Sequence, residues 1–170
     1  MKTVPIVLMA ILFGVVISGF TPKAPLQASK TASEPDQRVE KALKKLGLKY
    51  TVTKDGDFKL VFTTEGDRTQ VVFINSNTEM LRKMEIREVW SPAAKFSSKP
   101  SAALSQALLE KNGSFKIGSY AYKKAGDTYF LVFNVQISAN ASADELLSVV
   151  IGVAETADAA ENEIMESDDF

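Results

Sequence analysis

The chain has 170 residues, of which 45% are hydrophobic and 24% are charged, a composition typical of one globular domain. It contains no cysteine and no histidine, which excludes disulfides, zinc sites built on those residues, cysteine nucleophiles and histidine-based catalytic triads. The 20 basic and 21 acidic residues nearly cancel and form no basic cluster, so nucleic acid is not an expected partner.

The first 28 residues have the pattern of a secretory signal peptide. Lys2 precedes an uncharged run of apolar residues, proline and glycine at positions 4–17, and small residues follow it. At about 1.5 Å per residue, a helix of this length is shorter than a hydrocarbon core of about 30 Å. We therefore expect cleavage between residues 18 and 28, with no stable membrane anchor afterwards. The mature chain would be exported to the periplasm or the extracellular medium, with residues 29–33 as a flexible lead-in.

The first predicted helix begins at Ser33-Glu34-Pro35-Asp36, which offers a capping residue, an early proline and acidic groups. Apolar residues then recur at helical spacing until Gly47 ends the pattern. Three strand-like runs follow at residues 49–53, 57–63 and 68–74, separated by loops of hairpin length that contain glycine. These runs predict an antiparallel meander.

The next part of the chain carries weaker signals. A polar turn is predicted at Asn75-Ser76-Asn77-Thr78, before a strand over residues 80–90 whose spacing also suits a helix. Ser91-Pro92 is predicted to break that strand, and residues 93–99 are predicted to form a loop.

The C-terminal half returns to clear patterns. A second helix is predicted around residues 104–112, followed by a hairpin of strands at 116–123 and 128–137. Ser142-Ala143-Asp144-Glu145 then forms a capping box at the start of a long helix with an apolar stripe. Residues 166–170 are predicted to be a frayed acidic tail.

The order of these elements indicates the fold class. Strands that are grouped together, rather than alternating with helices, predict an α+β fold with an antiparallel sheet of about five to six strands and flanking helices. No repeat or shift of composition marks a second domain, so we expect residues 34–165 to form a single domain.

Six short motifs support a family resemblance. In chain order they are Asp55-Gly56-Asp57-Phe58, Val89-Trp90-Ser91-Pro92, Leu108-Leu109-Glu110-Lys111-Asn112, Lys116-Ile117-Gly118, Leu131-Val132-Phe133 and Ala157-Asp158-Ala159-Ala160-Glu161. Together with the element order, they resemble the YbjN-like domain family of bacteria over residues 38–163. The resemblance implies a fold similar to that of the chaperones serving type III secretion systems, and a role described loosely as sensory transduction regulation. It implies no established catalytic residues.

Carboxylates are the main candidates for acid–base chemistry in this chain, besides lysine and tyrosine. The candidates are Asp55, Asp57, Glu65, Asp67, Glu85 and Glu88. The first four lie in predicted hairpin loops, where aspartate and glycine are ordinary turn residues, and no spacing selects a catalytic pair. Asp55-Gly56-Asp57 lacks the remaining ligands of a calcium loop, and no phosphate-binding or dinucleotide-binding glycine motif occurs. The sequence therefore predicts no enzyme activity, no cofactor and no metal site.

The strand predicted at residues 128–137 carries more apolar residues than a one-sided sheet needs. One face is apolar throughout, and Phe130 and Val132 add apolar side chains to the opposite face. We predict that Phe130 and Val132 contribute to a partner-binding surface, with Trp90 and Phe96 at its rim. The alternative is that another helix, or the loop between Trp90 and Phe96, covers Phe130 and Val132. In that case Trp90 would anchor the loop in the core.

These observations predict a non-enzymatic, exported binding module, chaperone-like or regulatory, that holds a segment of another envelope or secreted protein. The expected partner is a protein or a peptide. A structural protein that associates with itself as a homodimer is the first alternative. A hydrolase using paired carboxylates is the least favoured one.

Overall fold

The computed structural model describes residues 34–165 and 167–170. The predicted signal peptide, residues 1–28, and the predicted lead-in, residues 29–33, lie outside the described residues. Within the described part of the chain, no helix has the length and apolar character needed to cross a bilayer.

The described residues form three α-helices, six β-strands and a 3-10 turn at Glu65–Asp67. The helices are α1 (Gln37–Lys45), α2 (Ala102–Asn112) and α3 (Ala143–Met165). The strands are β1 (Thr51–Val52), β2 (Phe58–Thr63), β3 (Thr69–Leu81), β4 (Met84–Phe96), β5 (Ser119–Ala125) and β6 (Thr128–Ser138). They form one antiparallel sheet in the order β1-β2-β3-β4-β6-β5, which confirms the predicted α+β fold.

All three helices contribute to one apolar core on one face of the sheet. α1 supplies Val39 and Leu43, α2 supplies Leu108, and α3 supplies a stripe that includes Leu146 and Val150. The strands supply the facing side chains Phe58, Leu60, Val72, Ile74, Val89, Leu131, Phe133 and Val135. Because α3 contacts β3, β4 and β6, it covers the middle of the sheet.

Capping side chains fix where the helices begin. Asp36 caps α1 by accepting the backbone N–H of Arg38 at 2.7 Å, and Ser101 caps α2 with its hydroxyl. At the start of α3, the Ser142 hydroxyl accepts the N–H of Glu145, and the Glu145 carboxylate accepts the N–H of Ser142. The predicted capping box is therefore confirmed.

β3 and β4 are longer than the sequence predicts. β3 continues through the predicted turn at residues 75–78, and β4 continues through Ser91-Pro92 to Phe96, so both predicted interruptions are wrong. Each of these sequences lies at a shift of register, where extra residues in one strand interrupt the ladder. A bulge tolerates proline and unpaired polar residues, which is why breaker residues occur inside continuous strands.

The turn between β3 and β4 is formed by Arg82 and Lys83. Arg82 has a backbone φ of 57°, in the left-handed region that favours glycine. Apolar side chains around this tip are exposed, namely those of Met80, Leu81 and Met84. Since no typical turn-forming residue occurs here, the sequence pattern does not indicate the turn.

Residues 167–170 fold back onto the domain, in contrast to the frayed tail expected from their composition. A carboxylate oxygen of Asp168 accepts the backbone N–H of Thr69 at 3.1 Å. The backbone N–H of Asp169 donates to Oε1 of Glu161 at 2.6 Å. These contacts hold the tail beside the start of β3.

Candidate functional site

The sheet face opposite the helices is the strongest candidate for a functional surface. We call it the open face, and its centre is formed by Phe73 on β3, Trp90 on β4, and Phe130 and Val132 on β6. Phe73 pairs with Trp90, and Pro92 pairs with Val132, so these side chains share one face of the sheet. The helices between residues 34 and 165 contribute their apolar side chains to the core on the other face.

An aromatic stack lies at the centre of the open face. The rings of Phe73 and Trp90 are nearly parallel, at an interplanar angle of 18°, with their centroids 4.5 Å apart. The Trp90 indole N–H donates to Oδ1 of Asn75 at 2.9 Å, and Lys123 Nζ lies 4.4 Å from the Trp90 ring centroid. Lys123 Nζ also lies 2.9 Å from the carboxylate of Glu88. These polar neighbours fix the orientation of the indole ring.

A groove of about 560 Å³ runs across the open face. Its floor and walls include the four central residues, Val61 and Pro92. Val71, Ala125, three lysines and the last two residues of the sequence complete the lining, and the charged and terminal residues among them are Lys59, Lys123, Lys124, Asp169 and Phe170. The volume lies within the range of about 300–1,000 Å³ that is usual for ligand sites.

The structure brings three of the four predicted binding residues together on the open face. Val132 is 0% exposed and belongs to the groove floor, whereas Phe130 and Trp90 are partly exposed. Phe96 lies on the opposite face, where it packs against the core and meets Tyr122 edge to face at a centroid distance of 6.5 Å. The prediction that Phe96 is at the rim of the same surface is therefore wrong.

A β-bulge in β4 explains the position of Phe96. Pro92 pairs with Val132, but Ala94 pairs with the very next residue of β6, so β4 carries one extra residue across this step. An extra residue reverses the alternation of side chains beyond it. Phe96 consequently faces the helices, although strict alternation would place it on the same face as Trp90.

Among the described residues, neither a helix nor the segment between Trp90 and Phe96 covers Phe130 and Val132. The segment between Trp90 and Phe96 is part of β4 and not a covering loop. The described helices pack on the other face. Within the described residues, Phe130 lies opposite Lys123, Val132 lies opposite Pro92, and Phe170 lines the same groove.

Sequence reasoning missed several residues of the groove, among them Val61, Phe73 and Phe170. Val61 is 62% exposed, Phe73 forms the aromatic stack, and Phe170 comes from the tail. Val61 carried a usable signal, because it is an apolar residue between Lys59 and Thr63 on the otherwise polar side of β2. Phe170 carried none, since its position depends on the tertiary contacts of the tail.

The candidate carboxylates make structural contacts. Asp57 accepts a backbone N–H from β3 at 2.8 Å, Glu85 pairs with Arg38 at 2.7 Å, and Glu88 pairs with Lys123 at 2.9 Å. The two acidic residues of the 3-10 turn are exposed. These contacts give Asp57, Glu85 and Glu88 roles in holding turns, strands and α1 together.

A second polar cluster lies near the end of α3. Carboxylate oxygens of Asp158, Glu161 and Asp168 lie within 4.8 Å of one another. Arg68 supplies the cation, with Nε 2.8 Å from Asp158 and Nη2 3.5 Å from Glu161. Burial raises the pKa of Glu161. Backbone N–H groups of the tail, including that of Asp169, and the charge of Arg68 oppose this rise. The cluster anchors the tail, because two of its carboxylates accept hydrogen bonds that hold the tail in place.

A larger groove of about 970 Å³ lies beside this cluster, between the 3-10 turn and α3. Its charged residues include Arg68 and Asp158, which form an ion pair with each other. Phe62 is the one aromatic residue in its described lining. The open-face groove has four aromatic side chains, those of Phe73, Trp90, Phe130 and Phe170. The concentration of aromatic residues favours the open face as the binding site.

The sequence matches the profile of the YbjN family, described as "Putative bacterial sensory transduction regulator", over residues 35–166. The chain belongs to the YbjN family. The motif resemblance is thus confirmed, and the description of the YbjN family is regulatory and not enzymatic.

This YbjN-family chain is also similar to a solved structure described as "Crystal structure of YbjN, a putative transcription regulator from E. coli", at 16% sequence identity and a TM-score of 0.49. The match covers 76% of this chain and 90% of that chain. No curated protein matches the sequence.

Proposed function

We propose that this YbjN-family protein is a non-enzymatic, exported binding module, chaperone-like or regulatory, that holds a segment of another envelope or secreted protein on its open face. The observation that carries the proposal is the groove around Phe73, Trp90 and Phe130 on a sheet face that the described helices leave uncovered. Aromatic side chains in such a setting commonly supply most of the energy of a protein–protein contact.

The rigidity of the groove supports this assignment. Its aromatic residues project from β3, β4 and β6, which are adjacent strands of the sheet. Phe73 and Trp90 are already stacked, and Val132, which lines the same groove, is fully buried. A partner segment would therefore meet aromatic rings that are already in place on the sheet, so that β3, β4 and β6 need little reorganisation.

Export is proposed from the sequence of residues 1–28 alone. An exported protein would meet partners in the cell envelope or outside the cell. The regulatory description of the YbjN family supports binding over catalysis.

Capture from the envelope fraction of the source cells tests the proposal. The baits are the parent chain from residue 29 onward and two variants of it, Phe130→Ser and Leu109→Ser. Leu109→Ser is the matched control, because it changes an apolar residue of α2 that is 71% exposed. We expect the parent and Leu109→Ser to retain the same partner and Phe130→Ser to lose it. Equal capture by all three chains would contradict binding at the open face.

The size of the protein in solution separates the proposal from self-association. We expect the isolated chain to increase in size only when the captured partner is added. The structural alternative would instead be favoured by a homodimer whose size does not change when the partner is added. Phe130→Ser should then convert this homodimer to a monomer.

A further inference from the structure

The tail of the chain forms part of the lining of the open-face groove. The tail, residues 167–170, leaves the end of α3 and passes the start of β3, where Asp168 accepts the backbone N–H of Thr69 at 3.1 Å. The next residue, Asp169, donates its N–H to Glu161, whose side chain is 0% exposed. These tethers place Asp169 and Phe170 in the lining of the groove.

The composition of the tail complements that of the groove. The tail reads Ser-Asp-Asp-Phe, and its last two residues, an aspartate and a phenylalanine, line the groove. The groove offers the aromatic residues Trp90 and Phe130 together with three lysines at positions 59, 123 and 124. Opposite charges around an apolar centre are the arrangement that gives a binding site its selectivity.

We infer that the groove selects an acidic segment carrying an aromatic residue, and that the tail is an internal ligand which a partner segment of this kind displaces. The inference rests on the proposed function and specifies the chemistry of the partner. The tail is the model for such a segment, because its phenylalanine and the adjacent acidic residue both border the groove. A segment of purely basic or purely aliphatic composition lacks one or both of these features.

Trp90 provides a direct reporter for this inference. It is the one tryptophan of the sequence, and it lines the groove together with Phe170. Its fluorescence emission should therefore respond when the tail is altered or when a peptide enters the groove.

The test uses three chains from residue 29 onward: the parent, Phe170→Ala, and a chain ending at Met165. The probe is a synthetic peptide with the sequence of residues 166–170, with its ends blocked. We expect saturable binding to the chain ending at Met165 and to Phe170→Ala, and at least tenfold weaker binding to the parent, whose own tail competes. Phe170→Ala keeps both tethers, so it serves as the test should the shorter chain fail to fold.

Two altered peptides test the chemistry of recognition. One carries alanine in place of the phenylalanine, and the other carries asparagine in place of the aspartate at position 169, the aspartate that lines the groove. We expect each to bind at least tenfold more weakly than the native peptide, and the binding of the native peptide to weaken as salt is raised. Equal binding of all peptides, or no saturable binding to folded Phe170→Ala, would overturn the inference.

The outcome is distinguishable from failure of the proposed function. If the peptide does not bind, while Phe130→Ser still abolishes capture of an envelope partner, then this inference fails and the proposed function stands. If the peptide binds competitively with the tail, while no open-face variant changes capture, then the groove has an internal ligand and the proposed function fails.

Discussion

Nη2 of Arg87, at the middle of the sheet, lies 2.6 Å from Oδ2 of Asp36, the residue that caps α1. The Arg87 side chain is 2% exposed, and Nη1 donates to the backbone carbonyls of Asn75 and Ser76. One buried guanidinium therefore joins the first helix to β3 at the register shift of that strand.

Replacing Arg87 by methionine should strongly destabilise the domain. The substitution leaves the carboxylate of Asp36 and two carbonyls without their buried partner, and breaking such a pair typically costs about 3–5 kcal/mol. The control is Arg38→Met, which removes a cation from the same network at a side chain that is 40% exposed. Because exposed ion pairs contribute about 1 kcal/mol or less, the control should cost much less. Urea unfolding of both variants measures the difference, and equal losses would contradict the anchoring role of Arg87.

The same network should make the domain sensitive to acid. Hydrogen bonds from Arg38 and Thr78 lower the pKa of Glu85 from 4.5 to about 2. Burial alone would raise the pKa of Asp36, but hydrogen bonds from Arg38 and Arg87 outweigh it and hold that pKa well below its ordinary range. Since both pKa values are lower in the folded state, the stability they contribute is complete above the ordinary carboxyl pKa values. It is lost progressively as the pH falls toward about 2.

Unfolding free energies measured between pH 7 and pH 2.5 test the acid response. Glu85→Gln removes one of the two groups, so the parent should lose more stability than Glu85→Gln over the acidic part of this interval. Parallel profiles for the two chains would show that Glu85 is not linked to folding.

Gly118→Ala should destabilise the domain through its backbone conformation and through steric clash. Gly118 has a φ of +79°, and a Cβ at this position would lie 2.7 Å from the carbonyl oxygen of Asn134 and 2.7 Å from Cγ2 of Val135. Strained backbone positions cost about 1–3 kcal/mol each, and the clash adds to this cost. The control is Gly126→Ala, whose φ is +59° but whose Cβ would meet nothing within 4 Å. Thermal unfolding should show a larger loss for Gly118→Ala, and a loss no larger than that of the control would refute the clash.

Cleavage of the N-terminal segment is predicted from the sequence alone. Mass spectrometry of the protein from its native cells should find a new N-terminus between residues 18 and 29. Leu12→Arg should retain the uncleaved chain in the cytoplasm, because a charge within the apolar run is costly to insert, whereas Leu12→Val should not. An intact Met1 on a membrane-bound product would rule out this prediction.

Sequence patterns predicted the elements whose boundaries depend on local chemistry. The Ser142 and Glu145 capping box starts α3, and the Gly126 loop closes the β5–β6 hairpin, because each position has a residue suited to its backbone conformation. The patterns misread residues 75–78 and Pro92, since the same residue types serve turns and bulges equally well.

The candidate site was only partly predictable for the same reason. Period-2 alternation placed Phe130 and Val132 on a common face, as the strand register confirms. It placed Phe96 wrongly, because one bulge residue reverses every position beyond it. Phe170 joins the groove through contacts distant in sequence, which no local pattern records.

The measurement that tests the central claim most directly is the paired effect of Phe130→Ser on partner binding and on unfolding. Leu131→Ser, at the neighbouring residue that is 0% exposed in the core, is the control for loss of stability. For Phe130→Ser we predict at least tenfold weaker binding of the captured partner, which is about 1.4 kcal/mol, with a loss of unfolding free energy below about 2 kcal/mol. The control should lose about 2–5 kcal/mol. Several kcal/mol of lost stability for Phe130→Ser with unchanged binding would show instead that Phe130 is a core residue.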